Sequence, residues 1–513
     1  RWRRKRFSQF KDMGIPGPTP SLFSGNLSEL IEKGAARSFE DWIKKYGDIV
    51  GFYNGAAPML IVKDLDLIKR IQIKDFSLFR DRGVSVTTVS REHELSNLSV
   101  ATVNGDRWKD MRSLLTPAFT SSNMKKISSL MDTCSDEFLE VLGSLHDQGE
   151  AFEIRKVFQK LTMDVIVRSA FGVQSDVQKT PEMTGISVII KDILDSISLF
   201  RTSWLTFLVC KHIEFQFTNW LVLDARTHLL RAGIFLLRSQ LNCRALKRQL
   251  NWCFPVTHEF NWCIPLRTNI PNYVNYLKAS PRSPSFSPKL PGQSTKKARD
   301  LENTKYATFA LMYFSVPLSF ETTSTALTFT SYLLAKFQDV QDRLRSEITA
   351  VLEKDGKFTY DNVFSMRYLD QVISESLRFY PPVIGFITRT CQDDYEYNGI
   401  KIPAGTSIVI PPYQIQHDPN LWSEPEKFDP ERFSAENKGR IDPMAFQAFG
   451  NGPRNCVGMR FAQLEMKLTL AKMLAKYKFL LDERHVKEDH LKLGSSFELC
   501  YPQDGAWLKV EKI

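Results

Sequence analysis

The chain has 513 residues, 43% of them hydrophobic, which is enough for a sizeable core in one large domain or in two to four ordinary ones. Its eight cysteines (Cys134, Cys210, Cys243, Cys253, Cys263, Cys391, Cys456 and Cys500) include no Cys-x-x-Cys pair, so neither a zinc site nor a dense disulfide framework fits. Reduced thiols in a cytosol-facing protein are the simplest reading. The formal net charge of +10 is uneven, because Arg1, Arg3, Arg4, Lys5, Arg6 and Lys11 crowd the start of the chain. Such a run is most often a solvated end, and nucleic-acid binding is open to it in principle. The stiff Ile15-Pro16-Gly17-Pro18-Thr19-Pro20 that follows favours a third reading: a basic cluster beside a membrane, a proline hinge, then a globular body. Residues 1–26 are assigned to this membrane-proximal segment. The chain lacks an initiator methionine, and no run of about twenty apolar residues occurs in it, so an anchor is expected to precede Arg1 in a longer product.

Beyond the hinge, Ser38 to Tyr46 is amphipathic, and Ile49 to Tyr53 and Met59 to Val62 are short β-type runs. Asp64 to Lys74 returns to helical spacing. Residues 82–106 are polar and aperiodic, a long loop of the kind that is more often functional than idle. Helical patterns fill Arg107 to about Asp195 and Ser324 to Arg378, with a hairpin signal at Tyr395–Ile402 around Asn398-Gly399 and further short strands from Leu491. The stretch 202–300 stands apart. It repeats Asn-Trp-Cys at 251–253 and 261–263, ends rich in Ser and Pro, and keeps no amphipathic period. Two readings stay open for it: a diverged substrate-binding region, or residues translated from non-coding sequence.

Phe449-Gly450-Asn451-Gly452-Pro453-Arg454-Asn455-Cys456-Val457-Gly458 surrounds one cysteine with permissive glycines and positive charge. Arg454 and the start of the following helix are both expected to favour thiolate over thiol. A solitary cysteine is ordinarily a small buried hydrophobe. Ten ordered positions around this one point instead to a metal ligand. Among cofactors held by a single protein cysteine, haem with an axial thiolate leads, since zinc and iron–sulfur sites want several clustered ligands.

With that signature matched at every fixed position, the chain resembles the cytochrome P-450 family of haem-thiolate monooxygenases. The resemblance implies a mainly α fold with small β-sheets, a single large haem-binding domain over residues 27–513, and haem b (iron protoporphyrin IX) ligated by Cys456. Glu375-Ser376-Leu377-Arg378, followed by Phe428-Asp429-Pro430-Glu431-Arg432-Phe433, keeps the family's order, and Glu375, Arg378 and Arg432 are then a buried salt-bridge network. On their own, Glu-x-x-Arg pairs are ordinary surface pairs. Trp108 and Arg112 match a Trp-x-x-x-Arg motif that grips haem propionates; Arg389 and Arg454 fall at further propionate contacts, Arg82 is a weaker candidate, and Phe449 belongs to the cofactor loop. His417 matches a His-Asp-Pro of relatives and is read as structural.

Glu321 and Thr322 occupy the acid–alcohol pair of a long helix across the distal face, where the threonine hydroxyl helps deliver protons to dioxygen. The family's Ala/Gly-Gly just before it is replaced by Leu318-Ser319, with Pro317 ahead inside what should be continuous helix. A kink there, costing roughly 3 kcal/mol, is expected. Positions 84–98, 313–319, 383–387 and 495–497 should line a lipophilic pocket. Thr162 to Ile166 and Ala170 to Val173 resemble the branch of vertebrate xenobiotic-metabolising microsomal enzymes (the family 3 clan). The implied partners are dioxygen, a lipophilic small molecule, a membrane surface and an NADPH-dependent flavoprotein reductase, with cytochrome b5 as a second donor the resemblance allows and no nucleic acid. No Gly-x-Gly-x-x-Gly is present in the chain itself. Lys109, Arg112, Arg460 and Lys467 would supply a basic docking face. The implied location is the cytosolic face of the endoplasmic reticulum membrane. Two alternatives stand beside this reading: a haem-thiolate isomerase or dehydratase, and a non-catalytic or defective haem protein.

Overall fold

The computed structural model describes residues 2–83, 100–172, 174–179, 316–496 and 498–513. The expected pocket loop at 84–98, Phe497, the positions 313–315 and all of 202–300 lie outside the described residues. The basic start of the chain, expected as a membrane-proximal segment, folds as helix α1 (Trp2–Asp12). Phe7 and Phe10 fall three apart on one face, and their rings meet Tyr53 at 4.9 and 5.1 Å. The proline segment after it is packed down: Gly51 N donates to Pro16 O at 2.8 Å, and a Cβ on Gly17 would sit 1.8 Å from Gly51 O. Only glycine allows that approach.

Helix α2 (Leu27–Lys33) leads into α3 (Ala35–Tyr46), whose buried Ala35, Phe39, Trp42 and Ile43 recur at helical spacing. The two β-type runs form strands β1 (Ile49–Asn54) and β2 (Ala57–Val62), which pair antiparallel. Helical spacing after Asp64 resolves into α4 (Leu65–Lys69) and a π-helical turn at Arg70–Lys74. The long helical pattern from 107 is divided into α5 (Gly105–Leu115), α6 (Ser121–Gln148) and α7 (Ile154–Phe171), with the short strand β3 (Phe152–Glu153) between the last two. Gly149 ends α6 in the left-handed region.

The second helical pattern likewise breaks into α8 (Val316–Lys336), α9 (Gln338–Asp355), α10 (Tyr360–Ser365) and α11 (Arg367–Phe379). A capping box between Thr359 and Asn362 starts α10. Helix α8 is described from Val316 onward, so the residue four before Pro317, on which a kink would act, lies outside the described residues. The C-terminal half adds β4 (Thr388–Thr390), β5 (Tyr395–Tyr397), β6 (Ile400–Ile402), β7 (Ser407–Val409), α12 (Pro412–Gln416), α13 (Met459–Leu474), β8 (Tyr477–Leu481), β9 (Leu493–Ser496), β10 (Leu499–Pro502) and β11 (Trp507–Lys512). Asn398 and Gly399, with φ of 48° and 80°, make the β5–β6 hairpin the sequence predicts.

One sheet joins the two ends of the chain in the order β1-β2-β7-β4, with β2 and β7 parallel and the other pairs antiparallel. A second sheet is β3-β11-β8, and β9 pairs β10. Helix α8 packs on α7, α11 and α13 through a core that includes Phe329, Tyr332 and Leu333. That contact brings the Glu321 region, the Glu375–Arg378 turn and the segment after Cys456 to a common centre.

Candidate functional site

From Phe449 to Cys456 the chain closes on itself. Cys456 N donates to Phe449 O at 2.9 Å and Asn455 N to Gly452 O at 3.0 Å. Gly450 and Gly452 take φ of 66° and 72°, the left-handed region that favours glycine, and a Cβ on Gly452 would lie 1.9 Å from Gln72 O. Helix α13 begins just beyond, with Gly458 at its N-cap. The Cys456 side chain has exposed surface, yet the protein packed around it raises its pKa by desolvation. The Gly458 backbone N–H, then Arg112 and Arg82, pull the other way. The Gly458 N–H, at the N-cap of α13, thus acts towards thiolate, whereas Arg454 is not among the groups that shift Cys456.

Arg454 is instead spent on the surrounding frame. Its Nε donates to Arg80 O at 2.7 Å, its Nη2 to Val103 O at 2.9 Å, and its guanidinium lies 4.3 Å from the centre of the buried Trp108 ring. Arg112 donates to Asn455 O and Oδ1 at 2.6 and 2.7 Å, gripping the residue before Cys456. Arg389, 1% exposed, donates from Nη1 to Thr388 O; Arg82 donates to Phe386 O at 2.7 Å. Desolvation, with neighbouring guanidinium charge, pushes all three groups down: Arg82 to about 10, Arg454 to about 9, Arg389 well below the ordinary value. For Arg82, burial comes first and Arg112 is the like charge, with Glu498 and Cys456 opposing. Arg82 Nε, Arg389 Nε and Arg454 Nη1 have no hydrogen-bond partner among the described residues. Buried like charges with spare donors are a receptor for an anion.

On the far side of α11 the carboxylate–guanidinium network is complete. Glu375 and Arg378 are 0% exposed; Arg378 Nε and Nη2 fork onto Glu375 Oε2 and Oε1 at 2.7 and 2.9 Å, and Arg432 Nε reaches Oε1 at 3.3 Å. Asp429 N adds a further donor at 2.9 Å, while Arg378 Nη1 holds Gln416 O at 2.7 Å. Burial pushes the Glu375 carboxyl up, and the Arg378 hydrogen bonds pull against it. His417 stacks on Tyr413 at 4.1 Å, and burial beside Arg378 lowers it to about 3, in keeping with a structural role.

Across the core, Glu321 is held by two residues that the sequence reading missed. Its Oε1 pairs with Arg155, and its Oε2 accepts from Gln159 Nε2 at 2.8 Å. Both come from one face of α7, four apart, and Thr162 on the same face donates to Phe320 O at 3.2 Å. Only knowing that α7 lies on α8 would have singled them out. Thr322 is half-buried beside this clamp. Of the expected pocket walls, Val383 bridges to Leu499 and Ile384 N donates to Glu498 O at 2.8 Å, so the segment after the proline pair lies against the β9–β10 turn. Lys467, expected on an exposed basic face, is instead 2% exposed, paired with Asp370 at 2.8 Å and set over Phe364. It leaves the docking set.

The sequence profile of the family described as Cytochrome P450 matches residues 15–222 and 302–506. The chain belongs to the cytochrome P450 family. Its relatives include cytochrome P450 3A11 of Mus musculus, 33% identical over 99% of this chain and 94% of that protein. Lithocholate 6-beta-hydroxylase of Mesocricetus auratus is 33% identical, and cytochrome P450 3A5 of Homo sapiens 32%, each over 98% of this chain and 92% of the relative. This P450 is therefore a haem-dependent oxidoreductase of the monooxygenase type, similar throughout to family 3 enzymes, with the helix-rich fold and small sheets the motifs implied. The two matched segments leave 223–301 between them.

The residues present fit haem. Cys456 offers an accessible thiol, and the orphaned donors of Arg82, Arg389 and Arg454 suit a doubly anionic edge such as paired propionates. No helix among the described residues is long and apolar enough to cross a membrane.

Proposed function

We propose that this P450 inserts one atom of dioxygen into a lipophilic small molecule, with haem b held by Cys456 and electrons drawn from NADPH through a separate flavoprotein reductase. The observation that carries the reading is the Cys456 loop: an accessible cysteine, its loop closed by Phe449 O and gripped by Arg112, beside buried guanidinium donors without partners among the described residues. When bound, haem supplies the redox chemistry by which dioxygen is reduced and cleaved. The chain's own residues do the rest. Arg82, Arg389 and Arg454 orient the cofactor's anionic edge, Trp108 holds the Arg454 plane by stacking, and Arg112 keeps Asn455 and hence Cys456 in place. Thr322 and Glu321 lie on the helix that would face the reacting side, where a hydroxyl and a carboxylate move protons.

A sterol or bile-acid class of substrate is supported by similarity to a relative named for 6-beta-hydroxylation of lithocholate. A location on a membrane of the endoplasmic reticulum is supported by the basic helix α1 and by exposed Trp2, Leu22 and Phe23 beside it. The reductase would meet Lys109 and Arg460 on the cysteine side, both exposed. The clamp of Glu321 by Arg155 and Gln159 favours, as a second reading, a haem protein that is weak in oxygen activation, in which the carboxylate is not free to relay protons.

Turnover of sterol-like substrates with reductase, NADPH and oxygen separates the readings. The monooxygenase reading expects hydroxylated product, with Glu321→Gln lowering product formation on the order of 100-fold at unchanged haem content. Haem-loaded protein that consumes no NADPH, or a Glu321→Gln variant as active as the parent, contradicts it. Activity gained only on changing Leu318 and Ser319 to Ala and Gly would support the defective reading.

A further inference from the structure

Three glutamines belong to none of the motifs above, yet all are enclosed: Gln72 and Gln416 are 0% exposed and Gln447 is 1% exposed. They come from distant parts of the chain: the π-helical turn at Arg70–Lys74, the end of α12, and the approach to the cysteine loop two residues before Phe449. Primary amides are costly to bury unless their donors and acceptors are met. These meet one another. Gln416 Nε2 donates to Leu377 O and Arg378 O at 3.0 and 3.1 Å, and its backbone O takes the Arg378 Nη1 donor at 2.7 Å. Its Oε1 accepts from Gln447 N at 2.9 Å. The side chains of Gln447 and Gln72 then exchange hydrogen bonds at 3.1 and 3.3 Å, and Gln447 Nε2 also donates to Met444 O at 2.8 Å.

The chain of bonds arrives at the cysteine loop from two sides. Gln447 O accepts from Gly450 N at 3.0 Å, fixing the entry. Gln72 O is the atom against which Gly452 is pressed, fixing the turn beyond it. We propose that Gln72, Gln416 and Gln447 are positioning residues for Cys456: the relay ties the Glu375–Arg378 cluster to both flanks of the loop and so preserves thiolate ligation. The inference rests on the reading of Cys456 as the haem ligand. A surface ion pair would be loosened by water and salt, whereas a buried amide chain is not. Loop and cluster are therefore joined by buried hydrogen bonds.

The test compares haem-loaded wild type, Gln447→Leu and the double variant Gln72→Leu/Gln447→Leu. Two readouts are taken: the thermal midpoint, and the rate at which the red-shifted band of the reduced carbon monoxide complex converts to the unshifted band in urea below the unfolding transition. Gln447→Leu strands the Gln72 amide and should lower the midpoint and convert about tenfold faster, the equivalent of losing one buried hydrogen bond. Removing both amides leaves no stranded amide, only Met444 O without its Gln447 donor, so the double variant should recover part of the midpoint yet still convert about fivefold faster than wild type. Wild-type conversion in either variant overturns the relay and leaves the glutamines as ordinary core. If the leucine variants do not load haem, Gln447→Asn, which keeps the amide but falls short of Gln72, carries the same comparison. A wild-type protein with no red-shifted band overturns the Cys456 reading and the relay with it; wild-type behaviour of the variants overturns the relay alone.

Discussion

Glu465 on α13 is a buried carboxyl that no reading of the cysteine loop uses. It is 1% exposed, and neither of its oxygens has a hydrogen-bond partner among the described residues. Burial alone pushes its pKa well above the ordinary carboxylate value, with no charged group acting on it. In the unfolded chain the same carboxyl titrates at about 4.3. The native state therefore binds the extra proton. Stability is undiminished below the unfolded pKa and is lost as the pH rises from there towards the folded pKa. Glu465→Gln removes the ionisation. Between about pH 5 and pH 8 the urea midpoint of the parent should fall relative to that of the variant, and the variant should be the more stable at the upper end. Parallel pH profiles for the two proteins would contradict this. Arg389 presents the opposite case, a buried cation among cations, and the difference is informative: spare donors aimed at a shared space suit a ligand, whereas a lone carboxyl inside α13 suits none.

At the scale of elements, the cysteine loop depends on a main-chain contact as much as on its own residues. Gly452 meets both demands at once, a φ of 72° and a separation that a side chain would violate against Gln72 O. Gly452→Ala should strain the loop by on the order of 1–3 kcal/mol and shift it away from the π-helical turn at Arg70–Lys74. The expected outcome is haem-loaded protein in which a large share of the carbon monoxide complex has an unshifted Soret band; a spectrum identical to the parent would contradict the packing argument. Gly450 has the same backbone demand but meets no atom nearer than Ile387 Cδ1 at 3.8 Å, so Gly450→Ala should be the milder change. The α7–α8 pair shows how much an element adds to a motif. Glu321 was legible in its register beside Thr322, but Arg155 and Gln159, which hold both its oxygens, carry no signal until the two helices are known to touch.

For the whole molecule, what was legible in the sequence is what is local. The glycines and proline of the cysteine loop and the Asn398-Gly399 hairpin act over a few residues; Glu375 and Arg378 also meet three apart on one helix face, though their burial followed from the resemblance and not from the spacing. Long-range pairing was not legible. Nothing in Ile49 to Val62 says that β2 will take β7 as a parallel neighbour some 350 residues later, a distance the register Met59–Ser407 makes explicit. Side-chain fate was hidden for the same reason: Lys467 looked like a surface cation, and only the packing of α13 on α10 and α11 turns it inward onto Asp370. The helix formed by the basic start of the chain was not legible either, because its two phenylalanines had not been set against Tyr53. That start now carries a prediction of its own. Arg3 Nη1 donates to Leu22 O at 3.0 Å, which sets the exposed Leu22 and Phe23 against the basic helix that carries exposed Trp2. Binding to vesicles containing anionic phospholipid, followed by sedimentation, should fall about tenfold in Trp2→Ser/Phe23→Ser and weaken with salt. Salt-independent binding, or none lost in the variant, would contradict a membrane-facing patch. The account as a whole stands on Cys456. Its most direct test is the carbon monoxide difference spectrum of the reduced, haem-loaded protein: a red-shifted Soret band that disappears in Cys456→Ala is the predicted result, and an unshifted band in folded wild-type protein would contradict the account.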